Sequence, residues 1–390
     1  MKRSASPLAL IFFTVFIDLV GFGIVIPVLP LYAERFGASP LTIGWLLGIY
    51  SAMQCLFAPI LGKLSDRVGR RPVLLVSLLG TSLGFFLMGF AGSLTMLFAA
   101  RIIDGITGGN ISTAMAYIAD ITPAQDRSKR MGLIGAAFGL GLIFGPAIGG
   151  LLSHVSMGAP FLFAGALAAA NTLAVALRLP ESLPADRQRL ARRDTSIREL
   201  FHEAKGPMLA VVLATYFFTT VAFSLLTATY PLFTQHRFGY GATQNGYIFA
   251  CQGIIGAVIQ GALLGWLVRY ASDKRLTIAG TAVLTISLFV LPWSGTPLFL
   301  FVATAGVAVG HALVAAPING LASKSVGAAS QGRVLGLMQS SASFARIIGP
   351  VVGGWLLNYD AVHLASEFGR TPYWVGGGVM LIACILALVI

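Results

Sequence analysis

PLALIFFTVFIDLVGFGIVIPVLPLYAERFGA, Pro7–Ala38, is the stretch on which the fold turns. From Pro7 to Leu31 it is apolar except for Asp18, and as a helix it is long enough to cross the roughly 30 Å hydrocarbon core of a bilayer. With Lys2 and Arg3 ahead of it the run begins like a secretory signal, but it continues past Asp18 without a small-residue cleavage site, so it reads as an uncleaved first span. Its end, PLYAERFGA (Pro30–Ala38), returns as PLFTQHRFGY at Pro231–Tyr240 with one residue inserted. GPAIGG at Gly145–Gly150 likewise returns as GPVVGG at Gly349–Gly354, 204 residues later. The chain is therefore a duplicated membrane unit.

Working outward, apolar segments of bilayer-crossing length start near Pro7, Leu41, Pro72, Thr95, Met131, Ala159, Pro207, Ala242, Thr277, Pro297, Val334 and Pro372, twelve in all. No alternating ten-residue pattern of a membrane barrel is present. Of 390 residues, 56% are hydrophobic and 10% charged, too little polarity to clothe a soluble globule. The net charge of +12 lies in short tracts between apolar segments, whereas a nucleic-acid surface gathers its basic residues on one face. Cys55, Cys251 and Cys384 sit singly in apolar runs, with neither disulfide nor metal spacing.

The basic residues set the orientation. The N-terminus and alternate connections hold 21 of the 26 Lys and Arg; the opposite side holds Arg35, Arg237 and Arg370. The positive-inside rule places both termini in the cytoplasm. Trp45, Trp293, Trp355 and Trp374 fall at outer-side span ends, where an aromatic belt belongs. The polar stretch 180–206 divides the chain into an N-terminal six-helix bundle (1–179) and a C-terminal one (207–390). Within it, SIRE at Ser196–Glu199 has capping-box spacing and predicts a short interfacial helix. The expected fold is an all-α membrane protein of twelve transmembrane helices in two pseudo-symmetric six-helix bundles. A parallel repeat of this kind implies a pseudo-two-fold axis along the membrane normal and halves that rock about a site near the midplane, the geometry of transport.

Four stretches carry more. GKLSDRVGRR, Gly62–Arg71, occupies the loop expected between spans 2 and 3. It resembles the signature of the major facilitator superfamily, with Gly62, Asp66, Arg67, Gly69, Arg70 and Arg71 matching. Gly62 is suited to close helix approach, and Asp66 to pairing with a helix N-terminus or an arginine at a cytoplasmic gate. The second half keeps a remnant in Gly265, Leu267, Asp273, Lys274 and Arg275. In span 5, Gly141, Gly145 and Gly149 recur every fourth residue and share one helix face, with Pro146 bending the helix. Together with Gly132 and Gly150 they are similar to the antiporter motif of that superfamily's drug:proton exporters. FIDLVGFGIVIPVLP (Phe16–Pro30) and RIIDGITGGNISTAMAYIADIT (Arg101–Thr122) resemble spans 1 and 4 of its tetracycline-efflux group. The resemblance implies a proton-driven exporter, without cofactor or metal, working as a monomer in the cell or inner membrane. The chain departs from the group in having no acid between Pro72 and Thr95 or between Thr277 and Pro292, which weighs against a metal–tetracycline chelate as substrate.

Ionisable residues at membrane depth are costly and mark function. Asp18 lies eleven residues into span 1, on a face with Thr14, Gly21 and Val25. There it can load and release protons or bind a cation. Arg101 and Asp104, three apart, point to one face of span 4 and can neutralise each other. If spans 1 and 4 both line the cavity, as the resemblance implies, Asp18 competes for the same guanidinium and the pair of acids makes a proton switch. Arg346 shares a face of span 11 with Gln339 and Ser343, and serves either to bond backbone carbonyls or to meet an anionic substrate. His311, Gln54, Tyr216, Gln252 and Asn319 complete a polar lining for the cavity. An organic-anion or metabolite transporter of the same fold is the alternative, supported by the two intramembrane arginines; a non-transporting sensor would need no acids at that depth. No HExxH motif, phosphate-binding loop or Ser–His–Asp set suggests an enzyme or an ATP-driven pump.

Overall fold

The computed structural model describes residues 7–122, 127–183, 207–326, 331–364 and 367–390. The helix expected at Ser196–Glu199 lies outside them. Every element among the described residues is a helix: α1 (Pro7–Glu34), α2 (Pro40–Val68), α3 (Arg70–Gly89), α4 (Leu94–Ile106), α5 (Asn110–Ile121), α6 (Arg127–Leu152) and α7 (Ala159–Arg178) in the first half. The second half has α8 (Pro207–Phe238), α9 (Ala242–Val258), which runs through a π-turn at Ile259–Leu263 into α10 (Leu264–Leu267), and then α11 (Asp273–Val290), α12 (Pro297–Lys324), α13 (Gln331–His363) and α14 (Arg370–Val389). Ten helices among the described residues are long and apolar enough to cross a membrane. The eleventh expected span is α13, 33 residues long, and the fourth is divided between α4 and α5. Large apolar side chains such as Leu79, Leu83, Leu177, Val302, Ile385 and Leu388 are exposed, as on helices bathed in lipid.

The chain forms two compact units. One comprises Met1–Phe36, Ile49–Asp194 and Ala242–Ala250; the other comprises Gly37–Gly48, Thr195–Gly241 and Cys251–Ile390. In the first, α1 lies in a groove on α6. Its core joins Ile11, Val15 and Leu19 of α1 to Leu74 and Leu78 of α3, Tyr117 and Ile118 of α5, Ala137 of α6 and Val175 of α7. In the second unit, α8 packs on the glycine face of α13: a Cβ at Gly353 would come within 2.9 Å of the Thr229 methyl, and one at Gly349 within 2.7 Å of the Val221 carbonyl. Helices α11 and α12 cross at Gly280 and Gly310, where added Cβ atoms would each lie 2.8 Å from the other glycine's carbonyl oxygen. Such contacts supply the dispersion energy that must hold helices together where lipid is as apolar as leucine.

Two features of the first unit depart from the sequence reading. The fourth span is interrupted at Thr107–Gly109, because the run Gly105, Gly108, Gly109 cannot sustain a helix and instead admits α2. A Cβ at Gly105 would lie 2.6 Å from the Tyr50 carbonyl oxygen, and one at Gly109 2.7 Å from the Leu61 side chain. The second departure is that the expected loop at Gly62–Arg71 is mostly helical. α2 runs on to Val68, and Gly69 alone, at φ 108°, makes the turn into α3.

Candidate functional site: a polar chain at a broken span

Near the break between α4 and α5 lie two acids of the first unit, Asp18 and Asp104. Arg101 and Asp104 face the same side of α4, one turn apart, and form an ion pair of 3.1 Å between Nη1 and Oδ2. Both are buried, at 2% and 5% exposure, so the pair has almost no water to share its charge with. The guanidinium also lies 4.2 Å above the Tyr50 ring of α2, a cation–π contact that partly replaces hydration. Gly84 of α3 gives Asp104 its room: a Cβ there would sit 2.9 Å from the Asp104 Cβ.

Among the described residues Asp18 makes no ion pair with this arginine. Its Oδ1 accepts a hydrogen bond of 3.0 Å from the amide Nδ2 of Asn110, the first residue of α5. The same Nδ2 donates to Thr81 Oγ1 at 3.4 Å, and Thr81 lies close enough to the Asp104 carboxyl to act on it. Where the sequence reading has the two acids share one guanidinium, the structure has Asp18 bonded to Asn110, Asn110 to Thr81, and Arg101 paired with Asp104. Neither Asn110 nor Thr81 was singled out in the sequence; the signal was TGGN after Asp104, a helix-breaking run followed by an amide at a new helix start. Gln54 serves the same break. Its amide donates to the Gly108 carbonyl at 3.0 Å, a group the interrupted helix leaves without its usual partner, and to Tyr50 Oη at 3.1 Å. One turn before Asp18, Thr14 accepts from Asn171 of α7 at 3.1 Å.

A second cluster joins α2, α3, α5 and the segment after α7. Arg70, 8% exposed, reaches Asp66 at 2.6 Å, Asp120 at 3.1 Å and Ser65 Oγ at 2.7 Å. Ser182 donates to the same Asp120 oxygen at 3.1 Å. The Glu181 carboxylate accepts from the backbone amides of Arg70 and Arg71, at 2.8 and 3.1 Å, capping the start of α3. The Gly69 turn leaves space for it, since a Cβ there would strike that carboxylate. Arg71 donates to the Ala176 carbonyl at 2.5 Å, and Arg67 is exposed. Gly62 departs from its sequence reading: a Cβ there would meet nothing within 4 Å among the described residues. Asp120, Glu181 and Ser182 were missed because each is an ordinary polar residue at a span end until the fold brings it to Arg70.

The glycines of α6 make the groove in which α1 lies. A Cβ at Gly141 would fall 2.5 Å from that of Leu19, one at Gly145 2.7 Å from Gly23 Cα, and one at Gly149 3.2 Å from Ile24 Cα. Pro146 packs at Gly23, while Gly150 faces Gly246 and Thr243 of α9. Gly132 lies in the part of α6 whose side chains are outside the described set. The groove fixes the position of α1 along its middle, beside Asp18.

The remaining nominated residues belong to the second unit. Arg346 donates to Ser343 Oγ at 3.2 Å and interacts electrostatically with Tyr216 of α8. His311 stacks on Phe223 with ring centroids 4.0 Å apart. Gln252 Nε2 is buried with no hydrogen-bond partner among the described residues. Asn319 and Gln339 are exposed; the Asn319 amide bonds the Ala315 carbonyl of its own helix at 2.7 Å.

A bundle of apolar spans with ionisable side chains buried at the break of a discontinuous helix defines a multi-pass membrane transporter. The model of the Major Facilitator Superfamily matches residues 11–350 and 261–390, and the chain belongs to that superfamily. It is 34% identical to the tetracycline resistance protein, class C, of Escherichia coli over 399 aligned positions, covering 99% of this chain and 97% of the relative. With multidrug resistance protein 1 of Bacillus subtilis (strain 168) it shares 29% identity over 96% of each chain. Among solved structures it is similar to the human organic anion transporter MFSD10 (TETRAN), with a TM-score of 0.73 and 23% identity over 99% of this chain and 100% of the other. That likeness bears on the fold alone.

Proposed function

We propose that the protein is a proton-driven exporter of amphipathic compounds, tetracycline or multidrug type, that works by alternating access of two six-helix halves (1–179 and 207–390) joined by a cytoplasmic linker (180–206). The observation that carries the reading is Asp18, hydrogen-bonded by Asn110 at the break of a span where Asn110 also meets Thr81 and the Arg101–Asp104 pair is buried. A carboxyl held by a neutral amide can exist with or without its proton, since an amide accepts or donates equally well. In the proposed cycle Asp18 takes a proton from the outer side, the halves rock, and the proton leaves to the cytoplasm as substrate binds for export. Arg101 and Asp104 keep that region compensated, and the Arg70 cluster latches the cytoplasmic end in one of the two states. No cofactor is required; the energy comes from the proton gradient. Both termini would be cytoplasmic in the plasma or inner membrane, and the functional unit a monomer.

An organic anion as substrate is the second reading, favoured by Arg346 of the long apolar helix α13, near Tyr216 of α8. The test uses purified protein in liposomes with an imposed pH gradient and three probes: ethidium, tetracycline and an aromatic carboxylate. Export of ethidium or tetracycline against its gradient supports the first reading, and of the carboxylate alone the second. No gradient-dependent movement of any probe would overturn both.

A further inference from the structure

Among the described residues Asn110 donates to both Asp18 and Thr81, and its side-chain carbonyl oxygen has no hydrogen-bond partner. The residue is fully buried, its Nδ2 serves both Asp18 and Thr81, and its Oδ1 is buried without a hydrogen bond among the described residues. An orphaned acceptor at such a place costs about 1–3 kcal/mol and needs a reason. The groups facing it are Asp18 from α1, Thr81 from α3, and, one bond further, Asp104 and Arg101 from α4 with Tyr50 of α2 over the guanidinium.

We infer that Asn110 is a two-position amide that couples the protonation of Asp18 to that of Asp104. This rests on the proton-coupled reading above and names the positioning residues of that same site. With Asp18 ionised, Nδ2 donates to the carboxylate and to Thr81 Oγ1, so the Thr81 hydroxyl proton is left to bond Asp104. When Asp18 takes up a proton from water, its new O–H is a donor and needs an acceptor. A half-turn of the terminal amide, a broad two-fold torsion, brings Oδ1 to that O–H. Oδ1 then also faces Thr81, whose hydroxyl can donate to it in place of Asp104. Protonating Asp18 thereby removes a hydrogen bond from the Asp104 carboxylate and leaves it to Arg101 alone. By linkage the effect is reciprocal: the state of Asp104 biases the proton affinity of Asp18 to the same degree. Thr81 is the middle member, because its hydroxyl can accept from the amide and donate to the acid at once.

The test reads protonation directly and needs no substrate. The full chain in liposomes is titrated by infrared spectroscopy, following the carboxylic C=O bands of Asp18 and Asp104 assigned from variant-minus-parent differences. In the parent background, Asp18→Asn should move the Asp104 midpoint. In a Thr81→Val background, isosteric but without the hydroxyl, the same substitution should move it less than half as far, the remainder being through-space repulsion. Asn110→Leu should act as Thr81→Val does, and combining the two should add nothing further. An equal movement in parent and Thr81→Val backgrounds overturns the inference, even if Asn110→Leu fails to fold. Ethidium transport in the same liposomes keeps the two claims apart. If Asp18→Asn still exports ethidium on a pH gradient, the coupling role of Asp18 falls, while the titration linkage stands or falls by its own measurement.

Discussion

Asp104 and Asp18 are held in different ways, and the difference predicts different losses. Asp104 is paired with a charge, so removing Arg101 leaves a buried carboxylate uncompensated. Arg101→Leu should destabilise the protein by about 3–5 kcal/mol, while Arg101→Leu with Asp104→Leu should recover most of that stability and remain inactive. Thermal unfolding in detergent, run beside gradient-driven ethidium transport, separates the two effects. Asp18 is held by an amide instead, so Asp18→Asn should leave the unfolding midpoint within a degree or two of the parent, yet reduce gradient-driven accumulation to the level of protein-free liposomes. A variant that still accumulates ethidium would remove Asp18 from the coupling site. At this scale the sequence was legible where chemistry forces rarity: Asp18, Arg101 and Asp104 stand out because a charge in an apolar run has few reasons to be there. Asn110, Thr81 and Glu181 did not stand out, because neutral or span-end polar residues gain meaning only from neighbours far away in the chain.

Among elements, the glycines divide by what faces them, which spacing alone does not reveal. The faces of α6 and α13 could be read from a repeat of four, but which helix fills each groove could not. Gly145 and Gly62 make the contrast testable. Gly145→Ala places a methyl against the α1 backbone and should cost about 1–3 kcal/mol through overpacking, with reduced transport. Gly62→Ala meets open space and should leave the unfolding midpoint unchanged or slightly higher, since alanine favours the helix. Equal effects of the two would mean the groove does not position α1. The break in the fourth span and the end of α2 at Val68 both fall at glycines: Gly105 and Gly109 admit α2, and Gly69 takes the positive φ of the turn into α3. Arg70→Ala should release both Asp66 and Asp120, loosening the junction of α2, α3 and α5. Hydrogen exchange of the amides around Gly69 would rise in this variant and not in Arg67→Ala, whose side chain is exposed.

For the molecule as a whole, the duplication, the number of spans and the transporter class were legible because a bilayer permits few solutions: apolar runs must be helices, and a repeated set of six must associate. The substrate was not, since Tyr216, Gln252, His311 and Arg346 are compatible with several ligand chemistries. The proposed energy source makes the sharpest demand. Purified protein is placed in liposomes holding a pH-sensitive dye, ethidium is supplied on one side, and drug and proton movements are recorded together while a pH gradient is imposed and then collapsed with an ionophore. Proton-coupled export requires ethidium to move against its own gradient, protons to move the opposite way at a fixed ratio, and both to stop on collapse and in Asp18→Asn. Ethidium accumulation that persists after collapse, or proceeds without opposing proton movement, would contradict it.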